Sequence, residues 1–539
     1  MTRAVSCVLF LSLTGPLFGR VPVQITPPAA GPYQVRANRI VDAAGREYLI
    51  RGTRLPPFQL HPSAPWGFGP FSRTTLVTVR QRLNMNAVRV AIRGAEYAAD
   101  AQYRAGVRQL VRQANQFQLV AILEVDGAAK LVGADFNGEP NLFFGVPDRA
   151  MLGELRAAGA RQPVILAAGA DESQDSNVIY EVRPSYTSIV ADRAQVGLLA
   201  ARFPVIVDGL DPQVESGGAE CQAFPGDPSK ASALVGGLLD FFDEQRVSWT
   251  ISAIEPGKMI DFYAGYDWSK LDDGWKCGEA PARGGIGMVV LSQLWHADPH
   301  GVLTVNSPAG GMVVARGANA SAYGRILAES EMAAKGHPLP VKLGNISIRV
   351  TDSHGIARLA PLTWTGGGWA STNFVIPAES AAGPAEVAVV RGDGSSTASE
   401  IVIGNVAPGL WTATYDGRGP VIAQVSQRFS DGTTAQFPAW ACGKEGCHTA
   451  PIPLSARAET TLRLEGTGFR FASSKDAIAV LVDGIRVAVE SFGPMAAEGR
   501  DVVAVKLPGE LIGRGEVDVY LVVDGAISNV VRLDCGGRI

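Results

Sequence analysis

Residues 86–125 read "NAVRVAIRGAEYAADAQYRAGVRQLVRQANQFQLVAILEV" and contain two short apolar runs, separated by a segment with a helical pattern. The runs at 86–92 and 119–125 each have the length of a buried strand. Between them, residues 99–117 place apolar side chains at i, i+3 and i+4, which is typical of an amphipathic helix. A strand, a helix and a second strand in this order indicate a parallel βαβ unit.

The same rhythm continues on both sides of this stretch. Six further apolar runs are strand candidates: 48–52, 141–146, 163–169, 177–182, 203–209 and 247–254. Together with the first two they give the number of strands that a (β/α)₈ barrel needs, so we predict a TIM barrel over residues 30–300. The connection between residues 126 and 141 is short for a crossover helix, so the sequence does not decide whether the barrel closes there.

The second half of the chain has a different rhythm, with alternating β-pattern and an internal repeat. Residues 375–403 resemble residues 506–533, and an Asp-Gly turn follows an alternating strand in both copies. A strand, an Asp-Gly hairpin and another strand are typical of one edge of an Ig-like sandwich. We therefore expect all-β sandwiches at 302–405 and 406–539, with one further helix near 324–336.

Composition and charge exclude some classes of function. Of 539 residues, 46% are hydrophobic and 19% charged, as expected of a folded multidomain protein. The net charge of −4 gives no basic surplus for nucleic acid, so we predict no such partner. The pattern predicts nothing about the oligomeric state.

Residues 1–20 have one Arg, an apolar run and a Gly/Pro break, the outline of a secretory signal peptide. We therefore predict a secreted protein, extracellular or periplasmic. This apolar run is too short to cross a bilayer, and no other run approaches the ~18 apolar residues that a membrane span requires.

Cysteine spacing in an exported chain favours disulfides over metal sites. The expected pairs are Cys221 with Cys277 and Cys442 with Cys447, which leaves Cys535 unpaired. The segment "CGKEGC" could begin a zinc site with His448, but no second Cys/His pair has suitable spacing. We predict no metal and no cofactor.

Several segments of the first half, in their order, resemble family 5 glycoside hydrolases, the cellulase-type barrels. They are "RIVDAAGREYLIRGTRL" (39–55), "LNMNAVRVAI" (83–92), "VIYEVRPSY" (178–186) and "VSWTISAIEPGKMI" (247–260). The resemblance implies a polysaccharide or oligosaccharide partner and retaining hydrolysis by two Glu residues. In this family one Glu, the acid, follows the fourth strand within an N-E-P triplet. The other, the nucleophile, follows the seventh strand.

This chain departs from the family pattern at both positions. The nearest carboxylate after the fourth apolar run is Asp148, while Glu139 precedes that run and belongs to the opposite end of the barrel. At the seventh strand the resemblance places Gly209 where the nucleophile belongs, beside Asp208. Ser252 replaces the Trp that usually forms the floor of the sugar site. These departures together predict a catalytically degenerate site.

Other residues remain candidates for the site. Carboxylates that could carry relocated catalysis are Glu255, Glu124, Asp208 and Asp148. Candidates for substrate binding are Arg89, Asp126, Arg183, Tyr186 and Trp249. A pair such as Glu124 and Glu255 could run acid/base chemistry if burial separated their pKa values. In the alternative interpretation, the acids are solvated or form ion pairs with Arg89 and Arg183.

The second half resembles a C-terminal module of exported acidobacterial proteins, with repeats similar to TIG/IPT Ig-like domains. Residues 343–352, 405–413 and 513–533 carry this likeness, which implies export and architecture only. Three functions follow as hypotheses. The leading one is a degenerate glycosidase-like barrel with a carbohydrate-binding or structural role. The others are an active hydrolase of β-glucan or mannan with relocated carboxylates, and a surface or adhesion protein with the barrel as scaffold.

Overall fold

A computed structural model describes residues 23–536, except 63–68, 168–172, 185–188, 211–227, 253–275, 278–279, 282–285, 297–301, 326 and 367–368. Its N-terminal part is a closed barrel of eight parallel strands, which confirms the predicted fold. The barrel strands are β3 (Arg51–Arg54), β4 (Ala87–Ile92), β5 (Val120–Val125), β6 (Leu142–Val146), β7 (Val164–Ala167), β8 (Val178–Val182), β9 (Val205–Leu210) and β10 (Ser248–Ile251). Each pairs with the next, and β10 closes onto β3.

Helices pack around the barrel. They are α1 (Arg73–Val77, continued by a π-helical turn at Thr78–Arg82), α2 (Gly94–Ala99), α3 (Ala101–Gln116), α4 (Ala129–Asp135), α5 (Arg149–Ala157), α6 (Ile189–Ala200), α7 (Pro228–Glu244) and α8 (Ile286–Trp295). The Asp100 side chain caps α3 by accepting from the backbone N–H of Gln102, at 2.7 Å. The short helix α4 is enough to connect β5 to β6. The barrel therefore closes at this connection, which the sequence did not decide.

The inside of the barrel has an apolar lower layer. Its side chains include Ile122, Phe143, Ile165, Ile179 and Ile206. Below them lies a hairpin of β1 (Gln34–Arg36) and β2 (Arg39–Val41), and the flanking residues Tyr33 and Tyr48 pack against Phe143. The amino-terminal end of the barrel is therefore filled with side chains.

The C-terminal half consists of mostly antiparallel sheets, as predicted. Two five-stranded sheets enclose one apolar core and contain β13 (Val302–Asn306), β14 (Val313–Ala315), β15 (Asn319–Arg325), β16 (Met332–Ala333), β17 (Ile346–Thr351), β18 (Ala357–Leu359), β19 (Leu362–Thr365), β20 (Trp369–Val375), β21 (Gly383–Arg391) and β22 (Ser396–Gly404). Between the barrel strands and these sheets, β11 (Lys276–Cys277) pairs with β12 (Ala280–Pro281).

A second all-β unit surrounds a separate core. Its strands are β23 (Gly409–Leu410), β24 (Ala423–Phe429), β25 (Thr434–Pro438), β26 (Trp440–Gly443), β27 (Gly446–Thr449), β28 (Ala458–Thr467), β29 (Ile478–Val482), β30 (Ile485–Pro494), β31 (Asp501–Lys506), β32 (Glu516–Val523), β33 (Ala526–Ile527) and β34 (Val531–Asp534). Both Asp-Gly segments of the sequence repeat form hairpins, between β21 and β22 and between β32 and β33.

The prediction of a helix near 324–336 is wrong. Strand β15 runs to Arg325 and pairs with β20 along its length, and residues 332–333 form β16 against β19. Backbone pairing with neighbouring strands therefore overrides the local helical pattern. Among the described residues, no helix combines the length and apolar content needed to cross a bilayer.

Where the structure describes both cysteines of a predicted pair, it agrees with the pairing predicted from the sequence. Cys442 and Cys447 form a disulfide across the directly paired strands β26 and β27, as predicted. Cys535 is a free, buried thiol, also as predicted, and burial raises its pKa to about 12. Cys221 lies outside the described residues, so its bond to Cys277 stays a prediction.

The second all-β unit packs on the outside of the barrel. Tyr520 is fully buried there, with its ring 5.4 Å from that of Phe117, and Gln116 donates a hydrogen bond to its hydroxyl. Arg73 pairs with Asp518 at 3.1 Å, between the start of α1 and β32. The apolar cluster of the barrel continues into the two all-β units, so all three parts share one core region.

Candidate functional site

A cavity of about 840 Å³ lies at the carboxyl end of the barrel strands, where TIM barrels carry their sites. We call it the mouth. All its lining residues among those described fall between residues 57 and 195. The connections that follow β7, β8, β9 and β10 lie partly outside the described residues.

Charged side chains form the floor of the mouth, because strand alternation places them above the apolar lower layer. Each comes two residues after a small or apolar residue of the same strand. Glu124 follows Ile122, Glu181 follows Ile179, and Asp208 follows Ile206. Arg54 on β3 and Arg89 on β4 occupy equivalent inward positions, also two residues after a small residue of their strands.

Arg54 bridges two of the three carboxylates of the floor, Glu124 and Asp208. Its Nη1 donates to Oε2 of Glu124 at 2.5 Å, and its Nη2 donates to Oε1 at 2.7 Å. On its other side, Nε donates to Oδ1 of Asp208 at 2.9 Å, and Nη2 also pairs with this carboxylate. One guanidinium therefore occupies the space between the two acids.

A second arginine completes the network. Arg89 donates from Nε and Nη2 to Oε1 of Glu124, at 2.9 and 2.7 Å, and it also pairs with Glu181. Its Nη1 lies 3.1 Å from Oδ1 of Asp208. Thr250 donates to the same oxygen at 2.8 Å. The floor thus consists of buried and half-buried charges that pair with one another.

Arg183 lies at the upper edge of this network, with its side chain 69% exposed. It contacts Glu181 at 3.1 Å and Asp208 at 3.4 Å. Three arginines thus face three carboxylates, and the alternative interpretation of Glu124 and Asp208 as ion-pair partners of arginine agrees with these contacts.

The electrostatics of the floor oppose acid catalysis. Burial alone would raise the pKa of Glu124, but the charges and hydrogen bonds of Arg89 and Arg54 outweigh it and lower the pKa. For Asp208, the hydrogen bond from Arg54 and the charge of Arg89 likewise overcome burial and lower the pKa. A general acid needs a raised pKa so that it holds a proton at neutral pH. Both groups are held ionised.

A β-bulge explains which residue of β9 points into the barrel. The pairing between β9 and β10 shifts register, from Trp249 opposite Val207 to Ile251 opposite Leu210. Gly209 sits in the bulge with a φ of +65°, a left-handed conformation that favours glycine. The bulge leaves Asp208 pointing inward, one position before the glycine that the resemblance places at the nucleophile.

The fourth strand brings no acid to the mouth. Its carboxyl end lines the cavity with Gly145, Val146 and Pro147. Asp148 caps α5 by accepting from the backbone N–H of Met151 at 2.9 Å. Glu139 accepts from Asn115 at 2.9 Å ahead of this strand, at the barrel end away from the mouth.

The remaining predicted residues divide into three groups. Asp126 lines the mouth and accepts from the backbone N–H of Gly94 at 2.5 Å. Trp249 is fully buried in the apolar cluster around the barrel, with Arg51 over its ring, because its neighbour Thr250 takes the inward position. The expectation that Trp249 binds sugar is therefore wrong. Glu255 and Tyr186 lie outside the described residues.

Sequence reasoning missed Arg54 and Glu181. For Glu181 the period-two alternation of its apolar strand is a signal, because it places this residue at an inward position near the carboxyl end. Arg54 has no such signal, because its strand carries few apolar side chains. In the described part of the chain, no aromatic side chain lines the mouth. Nor do three or more His, Cys, Asp or Glu side chains cluster anywhere within that part in a way that suits a metal.

Strand pairing and sheet order define a TIM-barrel protein with appended all-β units. No family model and no curated protein matches the chain. The solved structures similar to it include family 5 cellulases. A β-glucanase from Saccharophagus degradans in complex with cellotetraose is 11% identical with a TM-score of 0.37, over 52% of this chain and 98% of that one. A tri-modular GH5 endo-β-1,4-glucanase from Bacillus licheniformis, also with cellotetraose, is 11% identical with a TM-score of 0.35, over 90% of this chain and 98% of that one.

Proposed function

We propose that this protein is an exported, cellulase-like barrel that has lost retaining hydrolysis and binds a polysaccharide or oligosaccharide at the mouth. In this proposal residues 1–20 are a signal peptide, residues 30–300 the barrel, and residues 302–405 and 406–539 TIG/IPT-type sandwiches. Arg89, Asp126, Arg183 and Tyr186 remain the proposed binding residues.

The observation that carries the proposal is the position of Arg54. Retaining hydrolysis needs two carboxyl groups about 5–5.5 Å apart with a free space between them, one of which is protonated. Here the guanidinium fills that space, and its charge lowers the pKa of Glu124 and Asp208. Asp208 is also only 2% exposed at its side chain, so a sugar carbon has no access to it.

The binding role is supported by the size and chemistry of the mouth. A cavity of about 840 Å³ can hold a short oligosaccharide. Asp126, Gln195 and Arg183 line it with groups that exchange hydrogen bonds with sugar hydroxyls. Sugar rings also need apolar faces. We propose Trp66, Trp268 and Trp275 for these faces, and all three lie outside the described residues.

The test measures hydrolysis and retention on the same samples. The purified protein is incubated with β-1,4-glucans and mannans, released reducing sugar is measured, and retention is followed by affinity electrophoresis and pull-down. We expect no release above that of heat-denatured protein, together with retention by at least one glycan. Arg183→Met should weaken retention about tenfold, because it removes a charged donor at the edge of the mouth.

Arg486→Met is the matched control, since Arg486 is exposed on the second all-β unit and should leave retention unchanged. Sugar release that Asp208→Asn or Glu124→Gln abolishes would overturn the proposal in favour of an active hydrolase with relocated carboxylates. Absence of both release and retention would overturn the binding role and favour a surface protein with the barrel as scaffold.

A further inference from the structure

A second cavity, of about 220 Å³, lies where the barrel and both all-β units meet. We call it the junction cavity. The barrel contributes Arg80 and Trp295, the first all-β unit Asn306 and Val313, and the second Ile527. Most of its surface is apolar, and it lies outside the mouth.

Arg80 is the unusual member of the lining. It is only 8% exposed and stands on the π-helical turn after α1. Its Nη1 donates to Oγ1 of Thr26 at 2.8 Å and to the carbonyl of Met85 at 3.2 Å, and its Nη2 donates to the carbonyl of Thr26 at 2.9 Å. A guanidinium has five N–H donors. Within the described residues, Nε of Arg80 has no partner.

No carboxylate of the described chain lies within ion-pair distance of Arg80. Two other buried arginines of the barrel differ in this respect, since Arg51 pairs with Asp243 and Arg89 with three acids. Burial without a compensating charge lowers the pKa of Arg80 to about 10. Buried charges in proteins are normally paired, so this cation calls for an anion.

We propose that the junction cavity binds a small monocarboxylate with an apolar body. Its carboxylate pairs with Arg80 through the donors that have no protein partner, and its apolar part packs against Trp295, Val313 and Ile527. A cavity of this volume accommodates roughly ten non-hydrogen atoms. The site is separate from the mouth and does not depend on the glycan proposal.

The probe is octanoate, titrated into the full chain by calorimetry, with octanamide as its neutral isostere. We expect saturable octanoate binding with a dissociation constant below about 1 mM. Octanamide should bind at least about tenfold more weakly, because it lacks the charge that pairs with Arg80. Equal affinity for the two compounds, or no saturable octanoate binding, would overturn the proposal.

Two variants locate the binding. Arg80→Met removes the charge, but it also releases Thr26 and Met85 and can fail to fold. Ala526→Phe therefore serves as the second variant, because it fills the cavity from the half-buried strand β33 and leaves Arg80 in place. We expect it to keep the wild-type melting temperature and to lose octanoate binding. Octanoate binding that persists in a folded Ala526→Phe protein would place the ligand elsewhere and refute the site.

Discussion

Arg54 makes five donor contacts with two acids and so converts a pair of carboxylates into an ion-pair network. Its side chain is 24% exposed, and those of Glu124 and Asp208 are 20% and 2% exposed. At this depth a charge that loses its partner cannot be solvated fully by water. The stability of the barrel and the chemistry of the mouth therefore depend on the same residue.

We predict that Arg54→Met lowers the free energy of unfolding by about 3–5 kcal/mol at pH 7, because it leaves buried carboxylates close together. The pKa values of Glu124 and Asp208 are lowered in the folded state, so their pairing stabilises the protein above the unfolded value near pH 4. This contribution is lost as the pH falls through the folded values. The difference between variant and wild type should therefore shrink below about pH 4.

Urea unfolding at pH 7, 5 and 3.5 measures this difference. Arg93→Met is the matched control, since Arg93 pairs with Glu96 on the surface and its loss should change little at any pH. A difference for Arg54→Met that stays constant from pH 7 to pH 3.5 would contradict ionic pairing as its cause.

At this scale the sequence predicts the site in part. Glu124, Asp208 and Arg89 are identifiable because they lie within long, clearly apolar strands. Arg54 is not, because the apolar pattern predicts a strand at 48–52, whereas β3 is Arg51–Arg54 and carries few apolar side chains. The ion pairs themselves depend on side chains from four different strands, which a single sequence does not bring together.

At the scale of elements, β9 combines a regular strand with one irregular position. The bulge at Gly209 ends the inward alternation and fixes Asp208 as the last inward side chain of the strand. A β-bulge next to a barrel mouth redirects side chains without changing the strand order. The identity of residue 209 therefore matters for the orientation of its neighbour.

We predict that Gly209→Ala destabilises the protein by about 1–2 kcal/mol, since an L-residue at this positive φ is strained. No heavy atom lies within 4 Å of the added Cβ, so the cost is conformational and not a clash. The matched control is Gly153→Ala in the exposed face of α5, which also meets no atom within 4 Å and should stabilise by about 0.5–1 kcal/mol. Chemical denaturation of both variants checks the opposite signs, and stabilisation by Gly209→Ala would refute the strained backbone.

The eight barrel strands are predictable from the sequence because parallel strands are buried on both faces and form continuous apolar runs. The segment near 324–336 is not, because its helical pattern is local while the pairing of β15 with β20 connects distant parts of the chain. The register shift in β9 is equally invisible, since it depends on how two neighbouring strands align.

For the whole molecule, the contact between the barrel and the second all-β unit buries a large aromatic side chain completely. Tyr520 is fully buried between them, and Phe117 and Gln116 bind its ring and its hydroxyl. A large aromatic at such a place couples the unfolding of the two parts.

We predict that Tyr520→Ala destabilises the protein by about 3–5 kcal/mol, because it leaves a cavity in this contact. Calorimetry should then resolve two unfolding transitions in place of one. Tyr415→Ala is the control, since Tyr415 is 76% exposed and its loss should leave the melting profile unchanged. Equal profiles for the two variants would show that the barrel unfolds independently of the all-β units.

The placement of the all-β units determines how this protein can be immobilised on a surface for a binding measurement. The second all-β unit contacts the barrel at the start of α1 and the end of α3, and no described residue of either all-β unit lines the mouth. A biosensor surface that captures the chain through strands β24 to β27 would therefore keep the mouth open to soluble glycan. Coupling through residues of α6, whose Gln195 lines the mouth, would obstruct it.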